Sequence, residues 1–161
     1  VRVYADGSAL VRYLPAPDHS VDWQRWAEHR GADLLVTSLS LSELRHALAT
    51  TPAHVRARVH AAVDRLEVAR YSDQAVAAAA MSTAVLSPFA SLHLGVAVAH
   101  PEVTAFASYD HRLVAVASMH GLEIVSPGLP DGWWHTAARV TAPGAGGGPR
   151  PPASRSDPTS P

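Results

Sequence analysis

Short apolar runs alternate with longer stretches of helical periodicity through the first 127 residues, and that alternation limits the chain to a layered α/β architecture. The runs Val3 to Ala5, Leu34 to Thr37, Thr104 to Ser108 and Leu122 to Val125 read as strands. Trp23 to His29, Leu41 to Ala49, Val55 to Leu66, Asp73 to Met81, Phe89 to Ala99 and Arg112 to Met119 carry the spacing of helices. Strands separated by helices can pair in parallel, because each helix supplies the crossover that a parallel pair needs. The predicted class is therefore α/β with a central, largely parallel sheet. A further extended segment is expected within Leu66 to Tyr71, with Ser72 capping the helix that follows. Capping chemistry marks other boundaries. Ser87-Pro88 fits an N-cap and first helical position, and Gly121 fits the left-handed residue that ends the helix begun near Asp110.

A chain of 161 residues that is 47% apolar has the size and content for one core. Its formal net charge of -1 arises from 13 basic and 14 acidic residues, every basic one an arginine, so nucleic-acid binding would have to rest on a local patch. The chain holds no cysteine, which excludes disulfides and thiolate metal sites and fits a reducing compartment. The opening Val1-Arg2-Val3-Tyr4-Ala5-Asp6 turns acidic too soon for a signal peptide, and no apolar stretch reaches the roughly 20 residues of a membrane span. The expectation is a soluble, cytoplasmic protein with no membrane contact.

Two of the strands lead into aspartates, Asp6 and Asp110, and Glu43 follows the second strand at the start of a helix. In parallel sheets, ligands gather at the carboxyl ends of strands, so these three acids are candidates for one site. Each also has a structural reading: Asp6 and Asp110 as helix N-caps, and Ser40 with Glu43 as a capping box. Carboxylates gathered without a lysine repel one another unless a hard cation joins them, which points to Mg²⁺ or Mn²⁺ and to phosphodiester hydrolysis. The histidines show no HExxH or other tight zinc spacing.

The segment Val3-Tyr4-Ala5-Asp6-Gly7-Ser8-Ala9-Leu10-Val11-Arg12-Tyr13-Leu14 resembles the opening strand and helix of PIN-domain ribonucleases of the VapC toxin type, with Gly7 in place of the usual middle hydroxyl. Ser42-Glu43-Leu44-Arg45-His46-Ala47-Leu48 is similar to that family's second acidic motif, and Ala107-Ser108-Tyr109-Asp110-His111-Arg112-Leu113 to its fourth. The likeness runs in order through nearly all of Val1 to Ser126. It departs at Phe89-Ala90-Ser91-Leu92-His93-Leu94-Gly95, where the third acid of the pattern maps onto Ala90, and a methyl group cannot bind a metal. His93 matches the family's ordinary histidine, in a packing or hydrogen-bonding role, although from one turn along it can also approach the site.

The resemblance implies a PIN-like three-layer fold over residues 1–128. It implies a metal-dependent endoribonuclease in which Asp6, Glu43 and Asp110 are catalytic and hold Mg²⁺ or Mn²⁺, with Ser8, Arg12, Arg45 and Arg112 supporting the site or binding substrate. It also implies an RNA substrate, a cognate antitoxin and a homodimer. Residues 129–140, with Trp133-Trp134, are expected to pack on the domain or on a partner, and the Pro/Gly/Ser-rich residues 141–161 to be disordered. With Ala90 at the third acidic position, the alternative is a catalytically impaired PIN fold that binds RNA or protein. A haloacid-dehalogenase-like phosphotransferase would want a second carboxylate where Ser8 stands, and no GxGxxG supports a dinucleotide enzyme.

Overall fold

A computed structural model describes residues 2–137. Five strands, β1 (Arg2–Ala5), β2 (Leu34–Thr37), β3 (Glu67–Ala69), β4 (Val103–Ala107) and β5 (Glu123–Val125), form one sheet in the order β3-β2-β1-β4-β5. Every pairing is parallel. The helices are α1 (Gly7–Leu10), α2 (Ser20–Arg30), α3 (Ser38–Leu48), α4 (Ala53–Val63), α5 (Asp73–Ala80), α6 (Pro88–Ala99), α7 (His111–Met119) and α8 (Trp133–Ala137). The tail expected over 141–161 lies outside the described residues, as do residues 138–140.

Strand alternation builds the three layers. Val3, Ala5, Leu34, Val36, Ala105 and Ala107 face one side, where Leu10, Trp23, Leu44, Leu48 and Val59 from α1 to α4 complete a core. Tyr4, Leu35 and Phe106 point to the other, against Ala75, Leu94, Ala97, Leu113 and Ala117 from α5 to α7. The central strands are buried on both faces, which is why they read in the sequence as unbroken apolar runs. The fold is thus a three-layer α/β structure with a parallel sheet flanked by helices.

Several expected boundaries hold. Ser87 caps α6 with Pro88 in its first turn, Ser72 caps α5, and Gly121 has φ +80° just beyond α7. The segment expected near Leu66 to Tyr71 contains β3 at the sheet edge. One cap differs. The capping box of α3 is formed by Thr37 and Ser40, not by Ser40 and Glu43, because the helix begins directly where β2 ends. The earlier start removes Glu43 from the capping position and leaves its carboxylate available to other partners.

The strand order reverses direction between β1 and β4: the chain builds outward through β2 and β3 on one side, then through β4 and β5 on the other. Such a switch point opens a crevice at the strands' carboxyl ends, since the connections on its two sides run away from each other.

Candidate functional site

Asp6 occupies that crevice. It follows β1 directly, and its backbone N–H donates to the Ala107 carbonyl at 3.2 Å, continuing the contact with β4. Its side chain caps α1: Oδ1 accepts from the Ala9 N–H at 2.9 Å and from the Ser8 hydroxyl at 2.7 Å, and Oδ2 accepts from the Ser108 hydroxyl at 2.6 Å. The residue is only 3% exposed. Burial pushes its carboxyl above the ordinary aspartate value, opposed by the nearby His93 and by the donors Ser108, Ser8 and Ala9.

Ser8 and Ser108 couple the two strand ends. Each hydroxyl spends its one proton on Asp6, so the 3.2 Å between their oxygens is a close contact of two acceptors. Ser8 Oγ accepts from the Tyr109 N–H at 2.8 Å, and Ser108 Oγ from the Asp110 N–H at 3.0 Å. The loop after β4 is thereby fastened to the loop after β1. Asp110 itself is exposed, and its Oδ1 caps α7 by accepting from the Leu113 N–H at 2.9 Å.

Glu43 enters from α3 across Gly7. A Cβ built on Gly7 would stand 2.0 Å from Glu43 Oε2 and 2.5 Å from its Cβ, so the missing side chain is what lets α3 lie this close to α1. Glu43 Oε2 meets His93 Nε2 at 2.9 Å; His93 is buried, whereas the Glu43 side chain is 37% exposed. The other ring nitrogen, Nδ1, lies 2.7 Å from the Tyr4 hydroxyl, which lies 3.1 Å from Thr37 Oγ1. With a neutral imidazole, one proton direction satisfies every group: Thr37 donates to Tyr4, Tyr4 to Nδ1, and Nε2–H to Glu43. Burial raises the Tyr4 hydroxyl above its ordinary range, consistent with a phenol that stays protonated as a donor.

Ala90 lies in the first turn of α6, its N–H donating to the Ser87 cap at 3.3 Å. Of the arginines, Arg12 is held inward: Nη1 donates to the Ser8 carbonyl at 2.8 Å and the guanidinium lies 3.8 Å from the Tyr109 ring centroid. Burial lowers its pKa, partly offset by Tyr109, Asp6 and Asp18. Arg45 and Arg112 are exposed.

The crevice therefore joins Asp6 with Ser8 and Ser108, places Glu43 on His93, and ties Asp110 in through its backbone. Among the described residues, no group of three or more His, Cys, Asp or Glu side chains stands in metal-holding geometry. The donor chemistry still fits a hard divalent cation. Mg²⁺ keeps several waters and uses one or two carboxylates, and Asp6 and Glu43 flank the Gly7 turn together.

Sequence reasoning passed over Ser108, Thr37 and Tyr4. A signal for two of them was present: Thr37 and Ser108 are hydroxyl residues at the carboxyl ends of otherwise apolar runs, where the next groups inward are backbone amides and a carboxylate.

The fold and crevice define a class: a three-layer α/β protein with a parallel sheet, an acid site at its switch point, and an architecture broadly consistent with PIN-like proteins. No protein-family model matches the chain, and no curated protein does.

Proposed function

We propose that this chain is a metal-dependent endoribonuclease, the toxin component of a toxin–antitoxin pair, hydrolysing RNA phosphodiester bonds at the crevice between β1 and β4. The observation that supports this reading most is a buried, hydroxyl-clamped Asp6 at the switch point of a parallel sheet, with Glu43, partnered by His93, packed over the adjoining Gly7. Asp6 and Glu43 would hold Mg²⁺ or Mn²⁺, with Asp110 across the crevice. A bound divalent ion supplies Lewis-acid polarisation of the phosphoryl oxygens. Ser8 and Ser108 fix the Asp6 carboxylate in one orientation, and Glu43, 37% exposed, would hold the ion from beside His93. Arg45 and Arg112, exposed beside the motif acids, offer guanidinium groups to phosphate oxygens. A cognate antitoxin and a homodimer complete the proposal.

A second reading, a PIN-like module that binds RNA or protein without cutting, is favoured by a specific pair of observations. Ala90 brings no ligand to the site, and Glu43 is already partnered by His93. Cleavage of RNA by purified protein, with and without Mn²⁺ or Mg²⁺ and beside Asp6→Asn, separates the two. Metal-dependent cutting that falls at least about 100-fold in Asp6→Asn is the expected result. Ala90→Asp should raise that cutting and tighten Mn²⁺ binding measured by electron paramagnetic resonance. RNA binding without cleavage by either the natural chain or Ala90→Asp would establish the second reading instead.

A further inference from the structure

A separate cleft of about 240 Å³ opens beside β5, the outermost strand. Three indoles line it, Trp26 from α2 and Trp133 and Trp134 from α8, together with Pro130, and the exposed residues Glu123 and Asp131 add two carboxylates. Trp133 and Trp134 stand edge to face, with ring centroids 6.3 Å apart. Their Nε1–H groups are withdrawn from solvent, as is that of Trp23 in the core, so the cleft presents the faces and edges of the indole rings.

The sequence continues from α8, the wall of this cleft, through Ala138 to Pro161 and contains Pro149-Arg150-Pro151-Pro152. That tetrapeptide has the P-x-x-P spacing of segments that dock in aromatic-lined grooves as polyproline II helices. It also carries a cation suited to Glu123 and Asp131. Residues 138–148 join the end of α8 to Pro149, so the segment is covalently tied to the wall of this cleft and weak intrinsic affinity suffices for docking within one chain.

We propose that Pro149 to Pro152 docks in this cleft of its own chain, prolines against the three indoles and Arg150 facing Glu123 and Asp131. The chain holds no cysteine, so a spin label on Ser156→Cys in the full-length protein is unique. Paramagnetic broadening of the indole ¹H–¹⁵N signals of Trp133 and Trp134 is expected. It should drop at least threefold when Pro149, Pro151 and Pro152 are all changed to Ala, and drop likewise in Arg150→Glu. The Trp23 indole in the core serves as the folding control. Broadening that is the same in the natural and alanine-substituted tails overturns the proposal, since the tether alone would explain it. Broadening that arises only when ¹⁵N-labelled unmodified chain is mixed with unlabelled spin-labelled chain also overturns it, in favour of docking between two copies.

Discussion

Asp6 shows at the scale of one residue how a site group and a structural group can be the same atom set. Its side-chain oxygen caps α1 at the end of β1, and the same position buries it, which disfavours its charge. An acid whose pKa is raised in the folded state binds its proton more tightly there than when unfolded. The stability lost on ionisation is therefore absent below the ordinary aspartate range and develops as pH rises through the raised value. Asp6→Asn is accordingly expected to be more heat-stable than the natural chain at neutral pH, with Tm higher by about 2–4 °C for each kcal/mol regained. The difference should vanish in acid, below the ordinary aspartate pKa. Thermal melts of both proteins across pH check this; an equal or lower Tm for Asp6→Asn at neutral pH would show that its hydrogen bonds outweigh the burial cost.

Tyr4 gives a second residue-scale test. Tyr4→Phe keeps the ring that packs on Phe106, with centroids 5.4 Å apart, but strands His93 Nδ1 in the interior, while Thr37 Oγ1 keeps its contacts with Ser40. The expected cost is about 1–3 kcal/mol in denaturant unfolding, the range for leaving a buried polar group unmatched. A second readout is the ring itself: the ¹⁵N shift of His93 Nδ1 should move toward that of an acceptor nitrogen without a donor, while Nε2–H stays on Glu43.

Among the elements, α5 and α6 approach closely through a glycine. Gly95 lies in the middle of α6 where a Cβ would meet the Ala75 carbonyl oxygen at 2.3 Å and the Ala79 backbone nitrogen at 2.8 Å. Both are backbone atoms and cannot swing aside, so the helices would have to separate. Although alanine is the better helix former, Gly95→Ala is expected to destabilise by about 1–3 kcal/mol through overpacking. Equilibrium unfolding of the two proteins decides which effect dominates. At α1 and α3 the same logic runs through Gly7, where the neighbour is Glu43, so packing and site geometry are coupled there. The alternating faces of β1, β2 and β4 were readable from the chain. The early start of α3 was not, since it depends on Thr37 turning from the last strand residue into an N-cap that bonds Ser40.

For the whole molecule, a net charge of -1 places a bound on how it meets RNA. With Arg45 and Arg112 as the phosphate contacts, single-strand binding should show a slope of log K against log salt near about -1.4, from roughly -0.7 for each contact. Titrations of RNA over a range of salt measure it. A slope much steeper would implicate arginines elsewhere, and charge reversal at Arg112 should flatten it by about 0.7.

The amino-acid sequence by itself determined the layers. Apolar runs too short for helices, separated by helical spacing and bounded by Ser87-Pro88 and Gly121, leave a parallel sheet between helices as the arrangement that buries them. It also placed Asp6 and Asp110 at strand ends, because position along a strand is a local property. Tertiary structure alone decided which groups meet. Glu43 and His93 are 50 residues apart, and Asp6 and Ser108 are 102 apart, and neither pairing has a sequence spacing from which it can be read. Side-chain partners across a sheet depend on strand order and helix approach. Here those place a histidine on one of the carboxylates that the family resemblance assigns to a cation, Glu43, and a serine on another, Asp6.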